Sequence, residues 1–187
     1  MNPLAVAFKE WAVICRALAE GRQSLILRKG GIVEPGGSFR VEHDRFWLYP
    51  TFVHQMETGI VEAYRPLLEG VRADADGRVH LRNIAEVVRV YQLSTLEQAH
   101  SLAGLHGWSE ETVAARFHYR TPGLFALLVR VSEATPHAID ETDDYRGCKS
   151  WVTLEESMAV GETRPVLGDA AFATLGEGVE AAIFREE

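Results

Sequence analysis

Leu4, Phe8, Trp11, Cys15 and Leu18 recur at steps of four, three, four and three, the spacing that gathers side chains on one helical face, so Pro3–Glu20 is expected to be a helix. Gly21 stands where a helix-terminating glycine belongs. Ser24–Leu27 is a short apolar run read as a strand between Gln23 and Arg28, ended by Gly30-Gly31, and Glu34-Pro35-Gly36-Gly37 makes a second turn. Residues 38–49 are rich in aromatic and β-branched types and read as one strand, or a bent pair broken near Asp44, stopped by Pro50. Helical spacing returns over 55–69, irregular around Gly59 and Pro66, before a turn at Asp74-Ala75-Asp76-Gly77. Val79–Leu93, with Leu81, Ile84, Val87, Val88 and Val90, reads as a strand pair or one long strand. Ser94-Thr95-Leu96-Glu97 has capping-box spacing and predicts a helix over Thr95–Leu105, and Ser109 before Glu110 and Glu111 starts another. Leu124–Val131 is the most continuous apolar run and reads as a central strand, WVTL at 151–154 as a further one, and Asp169–Ile183 as a last helix.

Helices and strands mix without a regular βαβ alternation, which predicts an α+β fold with a mixed or antiparallel sheet, able to curl into a partial barrel with flanking helices. The 187 residues, 47% hydrophobic, suffice for one well-packed core and are too few for two domains of ordinary size. Residues 1–154 are taken as that core. The net charge of −8 is concentrated in residues 133–187, which hold 4 basic and 13 acidic side chains, so 155–187 is read as an acidic extension. Bulk electrostatics therefore disfavour non-specific nucleic-acid binding while leaving room for a local basic patch in the first third. Neither a signal segment nor an apolar run of bilayer length is visible, which places the expected protein in the cytoplasm and off the membrane. Cys15 and Cys148 lie in no CxxC pattern, which argues for buried thiols over a disulfide scaffold.

Candidate chemistry concentrates in residues 22–55. Arg28-Lys29-Gly30-Gly31 puts two cations at a strand end before glycines that free backbone amides, a combination that can hold a phosphate or carboxylate, or simply form a solvated turn. If Phe46 and Leu48 face the core, alternation sends Trp47 and Tyr49 to the other face of their strand. There they stack on a base, or join the core if that face is covered. His54 and Gln55 could read a base edge, shuttle a proton or cap the following helix. The segment Asp144–Trp151 repeats the opening mixture of glycine, cations and aromatics, and the two segments could converge on one cleft, with Cys148 between Arg146 and Lys149 a conceivable reactive thiol. His43 between Glu42 and Asp44, and His100 with His106, offer ligand types, yet no HExxH or Cys/His cluster exists, and no metal or cofactor is expected. Phosphate-loop, dinucleotide, serine-elbow and Nudix signatures are absent.

The succession AFKEWAVICRAL, SLILRKGGI, FWLYPTFVHQ, HGWSEETVAARF and GCKSWVTL resembles the uncharacterised bacterial family catalogued as domain of unknown function eighteen-oh-two, over residues 5–154. Members of that family are sometimes joined to a restriction-endonuclease-like domain, which implies a role in restriction or DNA handling. The stretch Gly21–Arg28 is similar to the opening motif of the ASCH group of PUA-like barrels, whose cleft binds RNA or modified nucleosides. Gly21, Ser24 and Arg28 match, whereas Gln23 stands where the family has a lysine and Ile26 where an acid is common. Those departures weaken the amidohydrolase chemistry the resemblance implies and leave cleft binding intact.

The expectation is thus an α+β protein, PUA-like by resemblance, that binds nucleic acid or a nucleotide-like ligand. Arg28 and Lys29 would neutralise phosphate, Trp47 and Tyr49 would stack, and Ser24, His54 and Gln55 would make polar contacts. A small hydrolase using Ser24, His54 or Cys148, and an interaction module working through the acidic tail, are the alternatives.

Overall fold

The computed structural model describes residues 2–29, 43–52, 57–69, 76–147 and 149–185. His54, Gln55 and Cys148, the Gly30-Gly31 pair, the turn at 34–37 and residues 38–42 of the expected strand lie outside them.

The first segment departs from its helical spacing. Leu4–Trp11 is a strand, β1, and the helix α1 follows over Ala12–Ala19. Nothing marks this change chemically: Trp11 is the N-cap and makes no side-chain cap bond. Within α1 the residues Ala12, Val13, Ile14, Cys15, Ala17 and Leu18 are all buried, so the helix is apolar nearly all round and has little directional stripe to read. Gly21 ends it as expected, with φ +69 and with Arg22 N–H donating to the Ala17 carbonyl at 2.9 Å.

Then come β2 (Leu25–Arg28), β3 (Arg45–Thr51), two 3-10 turns and the short helix α2 (Arg65–Glu69). β3 runs through Pro50 instead of stopping there: the proline lies opposite Glu10 of β1, within the parallel ladder. Val79–Leu93 is one long strand, β4, bent by register shifts at Leu81/Asn83 and Val87/Arg89. Helix α3 spans Leu96–His100, with its capping box one residue later than expected: Thr95 accepts from Gln98 N–H, and Gln98 reaches back to Thr95 N–H. Ser109 caps α4 (Glu110–His118) as its sequence predicts. The strands β5 (Leu124–Ile139), β6 (Trp151–Met158) and β7 (Arg164–Pro165) precede α5 (Asp169–Ile183).

The sheet order is β2-β5-β4-β3-β1-β6, with β7 also on β5. β1 and β3 run parallel and the other pairs antiparallel, which makes the expected mixed sheet of an α+β fold. Four strand spacings of about 4.8 Å would hold β2 and β1 some 19 Å apart in a flat sheet. Yet the Arg28 guanidinium of β2 lies 4.5 Å from the ring centre of Phe8 of β1. The sheet therefore curls until its first and fifth strands meet through their side chains.

The two faces bury separate cores. On one, Phe8, Phe46, Leu48, Leu27 and Val129 pack against α1, α4 and α5 through residues such as Ile14, Phe117 and Phe172. On the other, Trp47 and Tyr49 join Ala7, Leu81, Ile84, Ile139, Tyr145, Val152, Leu154 and Val160. Residues 155–187, expected as an acidic extension with a helix over Asp169–Ile183, contribute Phe172, Val179 and Ile183 to the first core and β7 to the sheet.

Candidate anion site at the mouth of the curled sheet

Where β1, β2 and α4 meet, three charged side chains converge. Alternation along β1 places Phe8 and Glu10 on one face and Ala7 and Lys9 on the other. Arg28 covers the Phe8 ring, and its pKa is lowered by burial and by the nearby Arg116 charge, against the opposing pull of Glu10. Arg116 projects from α4 and is 23% exposed. One of its nitrogens lies 4.0 Å from Glu10 Oε1, and another donates to the Leu27 carbonyl at 3.4 Å. Its guanidinium also lies 5.2 Å from the Trp11 ring centre and 4.9 Å from that of Trp108, distances at which an aromatic face attracts a cation. The Trp151 ring also packs edge-on to Phe8, at 4.8 Å between ring centres. Arg28 of the first cation-bearing segment and Trp151 at the end of the second thus both contact Phe8.

Glu10 is 3% exposed. Its Oε1 accepts from Trp11 N–H at 2.8 Å, while Oε2 is buried without a hydrogen-bond partner among the described residues. Leaving such an oxygen unpaired costs about 1–3 kcal/mol, more when it is charged. Arg116 thus stands 4.0 Å from the Glu10 carboxylate, and both charges act on Arg28.

The other sequence-predicted residues fall elsewhere. Lys29 points away from Arg28, and its ammonium donates to the carbonyls of Phe117 at 2.6 Å, Gly123 at 2.9 Å and Thr121. Its charge is spent within the chain. Trp47 and Tyr49 are both 0% exposed, so neither presents a ring to a base; Ile139, Tyr145, Val152, Leu154 and Val160 pack on the face where stacking was one of the two expectations. Tyr49 O–H donates to Glu141 at 3.4 Å, and its ring faces the Lys9 ammonium, held in turn by the carbonyls of Tyr145 and Gly147. Burial and the Glu141 charge raise the Tyr49 pKa. Ser24 is buried in a narrow crevice lined also by Leu18, Arg130, Val131, Val166, Leu167 and Phe172, and by neither Arg28 nor Arg116. Gln23 braces the structure: it donates to the Leu25 carbonyl at 2.7 Å and accepts from Gly107 N–H at 3.0 Å. Cys15 is buried, and its thiol is pushed up by burial and by the Glu10 charge.

A cavity of about 80 Å³ opens beside Trp108, lined by His100, His106, Glu110 and apolar residues. Among the described residues no group of three or more His, Cys, Asp or Glu is placed to hold a metal ion.

Glu10 and Arg116 escaped the sequence reading. A glutamate inside the apolar run AFKEWAVIC is the available signal for the first; Arg116, on an amphipathic helix, carries none.

The family model described as Domain of unknown function (DUF1802) matches residues 7–177. The chain belongs to this family. Its match includes Glu10, Arg28 and Arg116 and extends beyond residue 154 into α5, so the family's sequence pattern takes in most of the segment first read as an extension. No curated protein matches this DUF1802 chain. Solved structures similar to it include an ASCH protein from Zymomonas mobilis, at 14% identity and a TM-score of 0.47 over 81% of this chain and 87% of that one. A serine-to-alanine mutant of the same protein aligns at 14% identity and 0.48 over 83% and 92%. Among the described residues no helix is long and apolar enough to cross a membrane.

Proposed function

We propose that this DUF1802 chain binds nucleic acid or a nucleotide-like ligand through an anion site at the mouth of its sheet, with Arg28 and Arg116 as the phosphate-holding pair. The observation that supports the reading is the Arg116 guanidinium 4.0 Å from the Glu10 carboxylate, with Arg28, from a distant part of the chain, near enough for both charges to act on it. Guanidinium donors match phosphate oxygens in a planar fork and, being weakly hydrated, tolerate the partial burial seen here. Because the global charge is −8, association depends on this local patch and not on bulk attraction. Trp11, half-buried beside Arg116, supplies the ring surface that Trp47 and Tyr49 do not. A role in DNA handling, implied by the family resemblance, would be one of recognition.

Fluorescence anisotropy with short labelled single-stranded and duplex DNA and RNA, over a range of salt, tests this. Wild type is expected to bind at low salt. The double substitution Arg28→Ala, Arg116→Ala, checked for folding by circular dichroism, is expected to weaken binding and lower the log–log salt slope by roughly 1 to 2, as two phosphate contacts are lost. Absence of wild-type binding at low salt, or unchanged binding by the folded double variant, overturns the reading.

A further inference from the structure

Among the described residues Arg120 is the one non-glycine with a positive φ, 61°. Such a backbone is unfavourable for an arginine, where glycine or asparagine adopts it readily, and outliers of this kind gather at functional sites. Arg120 lies in the turn of residues 119–123 that joins α4 to β5. Backbone bonds shape that turn: Tyr119 N–H donates to the Arg116 carbonyl at 3.3 Å and Gly123 N–H to the Phe117 carbonyl at 3.2 Å. Pro122 fixes one further dihedral. The turn displays Tyr119, 57% exposed, with the Arg120 guanidinium 5.1 Å from its ring centre. A cation over one face of a ring leaves the other face to a partner. Lys29, next to Arg28, donates to the carbonyls of Phe117 and Gly123, so the turn lies beside the end of β2. Residues 112–132 are also the longest stretch of the chain without Asp or Glu, and Arg116, His118 and Arg120 lie in its first half.

Resting on the binding reading above, we propose that Tyr119 and Arg120 form a base-stacking platform for single-stranded nucleic acid, reached by the same strand whose phosphates meet the arginines. Every base has a π face, so a solvent-facing tyrosine beside cations takes an unpaired base whatever its identity. In a duplex those faces are already stacked on one another. A protein partner would also cover an exposed tyrosine, but a stretch bearing cations and no acids fits a polyanion better. Because backbone bonds and Pro122 hold the turn in shape before any ligand arrives, binding orders little of the loop.

The test compares labelled oligo(dT) with an abasic strand of the same length, which keeps the phosphates and lacks the bases, by anisotropy at low salt. Tyr119→Ala is expected to bind oligo(dT) roughly tenfold more weakly than wild type, the size of one base stacked on an aromatic ring. Its affinity for the abasic strand and its salt slope are expected to match wild type, since no phosphate contact is removed. Tyr119→Phe, which keeps the ring, is expected to bind both strands as wild type does. Should the alanine variant fail to fold, Tyr119→Leu, with similar bulk and no ring, takes its place. Undiminished oligo(dT) binding by the ring-less variant, or an equal loss on both strands, overturns the platform. If wild-type binding is then still salt-sensitive and Arg28-dependent, the anion site itself stands. No wild-type binding to either strand removes the anion site and this inference together.

Discussion

At His106 the fold acts directly on a protonation equilibrium. The ring is 4% exposed, neither nitrogen has a hydrogen-bond partner among the described residues, and burial with the neighbouring Arg116 charge pushes its pKa down to about 4. In the unfolded chain the same imidazole titrates near 6.5. Between these values the unfolded chain takes up a proton that the folded chain refuses, so the contribution of neutral His106 is complete above pH 6.5 and is lost as the pH falls toward 4. The whole effect is on the order of 3 kcal/mol. Urea unfolding at pH 7 and pH 5 is expected to show wild type losing about 2 kcal/mol more than His106→Gln over that interval. Equal losses in the two proteins would mean that the imidazole is protonated in the fold. Carboxylates that titrate over the same range do so in both chains and drop out of the comparison.

Between elements, the adjacent cations Arg28 and Lys29 take opposite tasks, as alternation at a strand end dictates. Arg28 lies on Phe8 at the mouth, whereas Lys29 joins β2 to the end of α4 by donating to Phe117, Thr121 and Gly123 carbonyls. The last carbonyls of a helix have no intrahelical donor, and a cation there also suits the helix dipole. Lys29→Met is therefore expected to cost about 1–3 kcal/mol of stability by urea unfolding and to leave nucleic-acid affinity near wild type, opposite to Arg28→Ala. The sequence showed both charges but not their directions. Elements with their own chemical punctuation were legible: Ser109 announces α4, the apolar run 124–131 announces β5, and Asp169–Ile183 matches α5. β1 and α1 were not, because eight residues of strand followed by an all-round apolar helix reproduce a helical period across a boundary that no cap marks.

For the whole molecule, the site depends on a closure that local pattern does not encode. Arg28 stands in a recognisable motif, but Glu10 and Arg116 reach it only because the sheet curls and α4 crosses its mouth. The same closure decides the status of the C-terminal segment. It was read as an acidic extension carrying one helix, yet Phe172, Val179 and Ile183 are 9%, 0% and 6% exposed in the main core. Asp169 receives Arg130 from β5, and Glu180 receives Arg89 and the Tyr91 hydroxyl from β4. Burying three such side chains contributes about 5–9 kcal/mol, against a total stability of about 5–15 kcal/mol for an ordinary domain. The ion pairs are exposed and add little, so the apolar face of α5 decides the outcome. A chain ending at Gly168 is accordingly expected to lose cooperative unfolding, with near-ultraviolet circular dichroism collapsing while the full chain retains it. If the shortened chain instead unfolds in one sharp transition at a denaturant midpoint close to that of the full chain, α5 is an appendage and the core closes without it.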